Sequence, residues 1–112
     1  MEMITYEDFA KLDVRIGEIQ EAEMVPETDK LIACKVYFGE EIGTRTIVSG
    51  IALYRTPESL VGKRLPYIIN LLPRTLRGVE SHGMLLAASF GDDGFSLLTP
   101  DHQGTPPGTR VG

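Results

Sequence analysis

Residues 31–50 read LIACKVYFGEEIGTRTIVSG, in which two apolar segments lie on either side of a turn that contains glycine. Leu31–Phe38 and Arg45–Ser49 are short segments bounded by turn residues, and they contain the β-branched residues Ile32, Val36, Thr46, Ile47 and Val48. The intervening Gly39–Gly43 has the glycines and acidic residues of a hairpin turn. The stretch therefore predicts two antiparallel strands joined by a short turn.

Upstream of this hairpin, the sequence changes from a helical to a strand pattern. Thr5 and Asp8 have capping-box spacing, and apolar residues then recur at helical intervals, which predicts a short N-terminal helix. From Val14 the apolar period becomes two, as in a strand, and we expect a bulge at Gly17 where a curved strand bends.

Downstream, the pattern predicts one more short helix and three more strands. Thr56 is placed as an N-cap, with Pro57 at the first helical position. The remaining segments are a strand over 63–70, a loop over 71–83, a strand over 84–90, a turn over 91–94, a strand over 95–99 and an extended tail over 101–112.

The order strand–strand–strand–helix–strand–strand is that of the OB-fold, a five-stranded β-barrel that commonly binds oligonucleotides. We therefore expect an all-β OB-fold barrel with short helices. The 112 residues leave room for one domain, over residues 1–112. An apolar fraction of 42% and a charged fraction of 24% are typical of a globular domain.

The formal net charge of −5, taken as a whole, argues against a partner made of nucleic acid. The charge is distributed unevenly, however. Residues 1–29 hold nine acidic and two basic residues, whereas residues 30–80 hold eight basic and four acidic residues. The middle segment can form either a basic face or an ordinary solvated surface of mixed charge.

Patterns typical of catalysis are scarce, so we expect no enzyme, no metal site and no cofactor. His82 and His102 have no metal-ligand spacing, and Cys34, the only cysteine, fits a small buried apolar residue. No glycine-rich phosphate motif is present. The acidic N-terminus is unlike a secretory signal and no apolar run is long enough to span a membrane, which makes the cytoplasm the expected compartment.

The segment from Asn70 to Ser89 carries the clearest sign of a binding site. It contains a loop with Arg74 and Arg77, flanked by Asn70 and Ser81. On an OB barrel such a loop is placed to hold phosphates, and arginine offers a planar fork that matches phosphate oxygens. The alternative is that both arginines are simply exposed to solvent.

The chain contains five distinctive strings, which are DVRIG at 13–17, TDKL at 28–31, IVSGIA at 47–52, PESLVGK at 57–63 and GVESHGMLLAA at 78–88. Together they resemble the tRNA-binding domain family, the OB-fold module found in many methionyl-tRNA synthetases and in the phenylalanyl β chain. The family also includes free-standing dimeric proteins. A related branch of export-associated chaperones shares the opening at 8–13 and the close at 107–112.

The resemblance implies that seven residues face tRNA, which the family recognises by shape through phosphate and 2′-hydroxyl contacts. Met84 has an alternative role as a packed strand residue of the barrel. Leu53 and Leu72 stand where the family often has lysine, which removes two potential phosphate contacts and instead extends an apolar surface. The seven residues are Lys30, Ser49, Asn70, Arg74, Arg77, Ser81 and Met84.

We accordingly expect a non-catalytic tRNA-binding protein that acts with a methionyl-type aminoacyl-tRNA synthetase in trans. The family resemblance implies a homodimer in which the N-terminal helix, with Phe9 and Leu12, and the C-terminal strand and tail pack across a two-fold axis. The alternative is a chaperone-like protein of the export-related branch that binds unfolded clients.

Overall fold

A computed structural model describes residues 1–112, and its secondary structure is almost entirely β. Two short helices lie among ten strands. The elements in chain order are α1 (Tyr6–Ala10), β1 (Val14–Met24), β2 (Ile32–Tyr37), β3 (Thr44–Ser49), α2 (Pro57–Leu60), β4 (Arg64–Ile68), β5 (Arg74–Leu76), β6 (Val79–Ser81), β7 (Met84–Leu85), β8 (Ala87–Ser89), β9 (Phe95–Leu97) and β10 (Arg110–Val111).

The main sheet has the strand order β3-β2-β1-β4-β7, with every neighbouring pair antiparallel. The long strand β1 pairs with β4 through its first half and with β2 mainly through its second half, which curls the sheet. Strand β10 adds to the start of β1, and β5–β6 and β8–β9 form separate hairpins. This architecture confirms the predicted all-β, OB-type barrel.

The bulge in β1 lies at Gln20, so the prediction of a bulge at Gly17 is wrong. The pairing with β2 shifts register between Ile19 and Glu21, whereas Gly17 pairs in register with Leu65. A Cβ atom at Gly17 would overlap Val36 Cγ1 and lie 2.6 Å from Phe38 Cε1. Glycine is therefore required at this position by close packing under the sheet.

The predicted loop over 71–83 contains the hairpin β5–β6, which is a correction to the sequence analysis. Each of its strands has three residues, too few to show a period of two. The predicted strand over 84–90 is divided into β7 and β8 at Leu86, whose N–H donates to the Pro66 carbonyl of β4 at 3.0 Å. Beyond it the chain leaves β4 and pairs with β9.

The core fills the inside of the curled sheet with aliphatic side chains from β1–β4 and α2. Phe38 and Tyr67 meet edge to face, with ring centroids 5.6 Å apart. Cys34 lies buried among them, and burial raises the pKa of its thiol to about 11. The thiol is therefore protonated at neutral pH, in agreement with its expected role as a small buried apolar residue.

Two hydrogen bonds join β3 to the end of β6 and close the barrel. The buried Ser81 Oγ accepts from the Val48 N–H at 2.9 Å and lies 3.3 Å from the Gly83 carbonyl, to which it donates. The backbone N–H of His82 donates to the Thr46 carbonyl at 2.9 Å. A hydroxyl that both accepts and donates thus satisfies backbone groups on each side of this junction.

The helices follow the predicted capping signals. Thr5 caps α1 through its Oγ1, which accepts from the Asp8 N–H at 3.1 Å, while Asp8 Oδ2 accepts from the Thr5 N–H at 3.2 Å. Helix α1 buries none of its residues against its own chain, whereas α2 buries Leu60. Neither helix has the length and apolar character that a membrane crossing requires.

Replacing Gly17 with alanine should lower the free energy of unfolding by about 2 kcal/mol, because the added methyl group overpacks a filled core. Urea denaturation followed by circular dichroism measures the change. Gly50→Ala is the matched control, since a Cβ there meets only Leu31 Cδ2, at 3.9 Å, and stability should hardly change. An unchanged midpoint for Gly17→Ala would contradict the packing described.

Replacing Ser81 with alanine should lower the free energy of unfolding by about 1–3 kcal/mol, because the buried Val48 N–H loses its acceptor. The same denaturation experiment applies. Ser89→Ala on β8 is the control, since Ser89 is exposed. Equal midpoints for the two variants would show that the hydroxyl does not hold the barrel closed.

Candidate nucleic-acid interface

A shallow groove of about 150 Å³ opens where β3, β5 and β7 approach one another. Its walls include Ser49 at the end of β3, Arg74 at the start of β5 and Met84 at the start of β7. Three of the seven residues implied by the family resemblance therefore line one concave surface. A hydroxyl, a guanidinium group and a thioether are presented together.

Close backbone packing brings Met84 to this groove. A Cβ atom at Gly83 would lie 2.9 Å from Ile47 Cδ1 and 3.0 Å from the Ile68 carbonyl oxygen, so only glycine allows the chain to approach β4 so closely. Met84 then pairs with Ile68 in the sheet. It keeps 38% of its surface exposed, so its side chain is only partly packed.

Arg74 and Arg77 lie on the hairpin β5–β6. Arg74 is opposite Ser81 in the register, and Arg77 occupies the tight turn with Gly78. Both turn residues have positive φ, 49° and 82°, which is the type I′ geometry that matches the twist of a hairpin. Both arginines are exposed and neither forms an ion pair, so their guanidinium groups are available to an anion.

Lys30 lies beside the groove without lining it. Its carbonyl accepts from the Ala52 N–H at 3.1 Å, which places the residue next to the segment 50–52 that follows β3. Its own N–H donates to Thr28 Oγ1 at 3.1 Å, and its side chain is exposed without an acidic partner. The ammonium group can therefore reach an anion that extends past the groove.

Asn70 and Ser81 use their polar groups within the protein. The Asn70 side chain accepts from the Asp13 N–H at 2.8 Å and donates to the Lys11 carbonyl at 2.6 Å, which ties the end of β4 to the segment before β1. The Ser81 hydroxyl is buried in the barrel junction. Both side chains position neighbouring backbone, and neither lines the groove.

Leu53 and Leu72, which stand where the family often has lysine, are both exposed apolar residues. Leu53 has 64% of its surface exposed and Leu72 has 89%. Neither side chain belongs to the buried core.

Sequence reasoning did not single out an aromatic pair beside the groove. The rings of Tyr54 and Phe95 are stacked, with centroids 4.7 Å apart and an interplanar angle of 9°, and Arg55 Cζ lies 5.2 Å from the Phe95 centroid. The sequence feature that could have identified this pair is the Tyr54-Arg55 dipeptide within the basic segment 30–80. An aromatic residue next to a cation is typical of protein surfaces that bind nucleic acid.

Three ion pairs of the chain involve the acidic segment 1–29, a fourth contact joins His82 Nε2 to Glu80 on β6 at 2.7 Å, and none involves Arg74, Arg77 or Lys30. Lys11 pairs with Asp8, Arg15 with Asp13 and Arg64 with Glu18. The hydrogen bond that Arg15 Nε donates to Asp13 Oδ1 raises the pKa of Arg15 above its usual value. The side chains of Arg74, Arg77 and Lys30 therefore remain unpaired within the chain.

Residues 14–110 match the family described as "Putative tRNA binding domain". The methionine–tRNA ligase of Flavobacterium psychrophilum is 47% identical over 110 residues, which cover 98% of this chain and 16% of the ligase. The chain thus spans less than a fifth of the length of this relative.

Solved structures similar to the chain include a protein related to a synthetase and a chaperone. A MetRS related protein from Pyrococcus horikoshii has a TM-score of 0.92 and 39% identity, with 99% of each chain covered. The chaperone CsaA from Bacillus anthracis has a TM-score of 0.88 and 30% identity, with 99% of this chain and 100% of CsaA covered. With a match over almost its whole length, the chain belongs to the tRNA-binding domain family.

Proposed function

We propose that this chain binds tRNA by its shape, without catalysing a reaction, through the groove formed by Ser49, Arg74 and Met84. The observation that carries the proposal is the unpaired Arg74 on the wall of that groove, in a chain that belongs to the tRNA-binding domain family. Shape recognition needs contacts to phosphate and to ribose hydroxyls, and these are the contacts that such side chains make.

Each side chain of the proposed site has a distinct task. Arg74 and Arg77 hold backbone phosphates through their planar forks, and Lys30 contributes a further charge at the side of the groove. The Ser49 hydroxyl hydrogen-bonds a ribose hydroxyl, and Met84 makes an apolar contact with a sugar or base. Ser81 and Asn70 act through the backbone they position.

Replacing Arg74 or Arg77 with alanine should weaken tRNA binding several-fold and lower the slope of log K against log salt by about one for each lost phosphate contact. Fluorescence anisotropy of labelled tRNA at ~50 mM and ~200 mM salt measures both quantities, since binding through phosphates weakens steeply over this range. Lys63→Ala is the control, because this cation is exposed and does not line the groove.

Absence of tRNA binding by the unaltered protein at the lower salt would exclude the proposed function. Unchanged affinity in both arginine variants, together with a loss in Lys63→Ala, would place the interface on another face of the barrel.

We further propose that the protein forms a homodimer, in which the second copy covers the apolar surface at the N-terminal helix and the C-terminal strand. All five residues of helix α1 are exposed, and Phe9 has 40% of its surface in solvent. The residues that follow α1 lie next to β10. Val14 pairs with Val111, and the Arg110 guanidinium donates to the Leu12 carbonyl at 3.4 Å. The N-terminal helix and the C-terminal strand therefore form one continuous surface.

Replacing both Phe9 and Leu12 with serine should convert a dimer to a monomer with little change in the fold of the barrel, because α1 lies outside the core. Sedimentation equilibrium measures the mass and circular dichroism the fold. Leu72→Ser, which removes an exposed apolar side chain elsewhere, should leave the dimer intact. A monomeric mass for the unaltered chain would contradict the proposed dimer.

Similarity to a methionine–tRNA ligase supports a role beside an aminoacyl-tRNA synthetase of the methionyl type. In the proposed role, the chain presents tRNA to a synthetase in trans, in the cytoplasm. Co-purification of such an enzyme with the tagged chain tests this association. If no synthetase co-purifies even when tRNA is present, the proposed association is contradicted.

A chaperone-like function is the second candidate, favoured by the similarity to CsaA and by the exposed side chains of Leu53 and Leu72. An exposed apolar surface of this kind can hold an unfolded client. Suppression of the aggregation of a denatured protein, without any shift of labelled tRNA, would support this candidate over tRNA binding.

A further inference from the structure

The stacked rings of Tyr54 and Phe95 form a flat aromatic surface that the proposed groove does not use. Phe95 belongs to the hairpin β8–β9, opposite Ser89, and packs against the buried core. Tyr54 lies on the turn after β3, with one face against Phe95 and 39% of its surface in solvent. A ring supported from behind in this way presents a rigid surface.

The backbone of the turn holds Tyr54 in this position before any partner binds. The N–H groups of Tyr54 and Arg55 both donate to the Ile51 carbonyl, at 2.9 and 3.0 Å. The Arg55 guanidinium donates to the Tyr54 carbonyl at 2.9 Å and lies over the Phe95 ring. Little conformational freedom therefore remains to be lost when a flat group stacks on Tyr54.

Position and charge favour a nucleobase as that flat group. The wall of the groove that contains Arg74 includes Ile51, whose carbonyl accepts from the Tyr54 N–H, and Ala87, which lies on the same hairpin as Phe95. The aromatic pair therefore adjoins the groove. Lys30 is bonded to Ala52 on the same turn and Arg55 follows Tyr54 directly, and neither has an acidic partner. An exposed ring with cations beside it is the arrangement that binds an unpaired base and its phosphate.

We propose that Tyr54, supported by Phe95, is a stacking site for an unpaired nucleobase of the bound RNA. The inference rests on the proposed RNA binding and makes it more specific, because a perfect duplex offers no such base. The partner is therefore an RNA with at least one unstacked nucleotide next to the backbone held by Arg74.

The chain contains no tryptophan, so Tyr54→Trp introduces a single fluorescent reporter at the stacking site. Stacking of a base on the indole should quench its emission when tRNA or a short single-stranded RNA is added, whereas a blunt RNA duplex should cause much less quenching. Tyr37→Trp is the matched control, since Tyr37 lies at the opposite end of the β2–β3 pair from Ser49 and should not respond.

Affinity provides a second readout that does not depend on the reporter. Tyr54→Leu should weaken tRNA binding about tenfold because stacking is lost, whereas Tyr54→Phe should retain nearly full affinity because the ring remains. Circular dichroism confirms that both variants are folded. Anisotropy of labelled tRNA is measured on the same samples.

The outcomes separate this inference from the proposed function. Binding of tRNA by anisotropy without quenching in Tyr54→Trp, and with full affinity in Tyr54→Leu, would overturn the stacking site and leave tRNA binding intact. Absence of tRNA binding by the unaltered chain would exclude both. Quenching by a denatured protein client but not by RNA would overturn the inference and assign the aromatic surface to a protein partner.

Discussion

The hydroxyl of Ser81 is the contact on which both the barrel and the groove depend. It accepts from the Val48 N–H of β3 and donates to the Gly83 carbonyl before β7, so one buried side chain of β6 holds β3 and the start of β7 together. The next residues along the chain are Ser49 and Met84, and both line the groove. The contact that closes the barrel therefore also holds the backbone next to these two groove residues, and losing it would leave a buried amide without an acceptor, which is costly.

Two glycines allow the backbone to come close enough for that closure. Gly17 leaves space for Val36 and Phe38 under β1, and Gly83 lets the chain pass against Ile47 and the Ile68 carbonyl. In both cases the restricting contact is made with a residue distant in the chain. A small core cannot shift to accept an extra methyl group at either place, because interiors are packed to the density of organic crystals.

Features of the fold that depend on neighbouring residues could be predicted from the sequence, whereas those that depend on distant partners could not. The Thr5–Asp8 capping box and the β2–β3 hairpin are local, and the structure contains both. The hairpin β5–β6 has strands too short for a period to be seen, although its Arg77-Gly78 turn was a usable signal. In the site, the bond between Ser81 and Val48 spans 33 residues and the bond between Asn70 and Asp13 spans 57, so the structural use of these polar groups was not visible.

The net charge of −5 determines the electrostatic potential far from the molecule, but it does not describe the charges close to the groove. Acidic residues of the segment 1–29 bind Lys11, Arg15 and Arg64, so part of that segment's charge is already compensated inside the protein. Arg74, Arg77 and Lys30 have no such partners. Because screening limits charge interactions to about 8 Å at physiological salt, an RNA phosphate bound in the proposed groove would respond mainly to charges close to it, such as these cations. A protein with this charge distribution gains little long-range attraction for RNA and depends on the fit of its rigid surface, which is the property that recognition by shape requires.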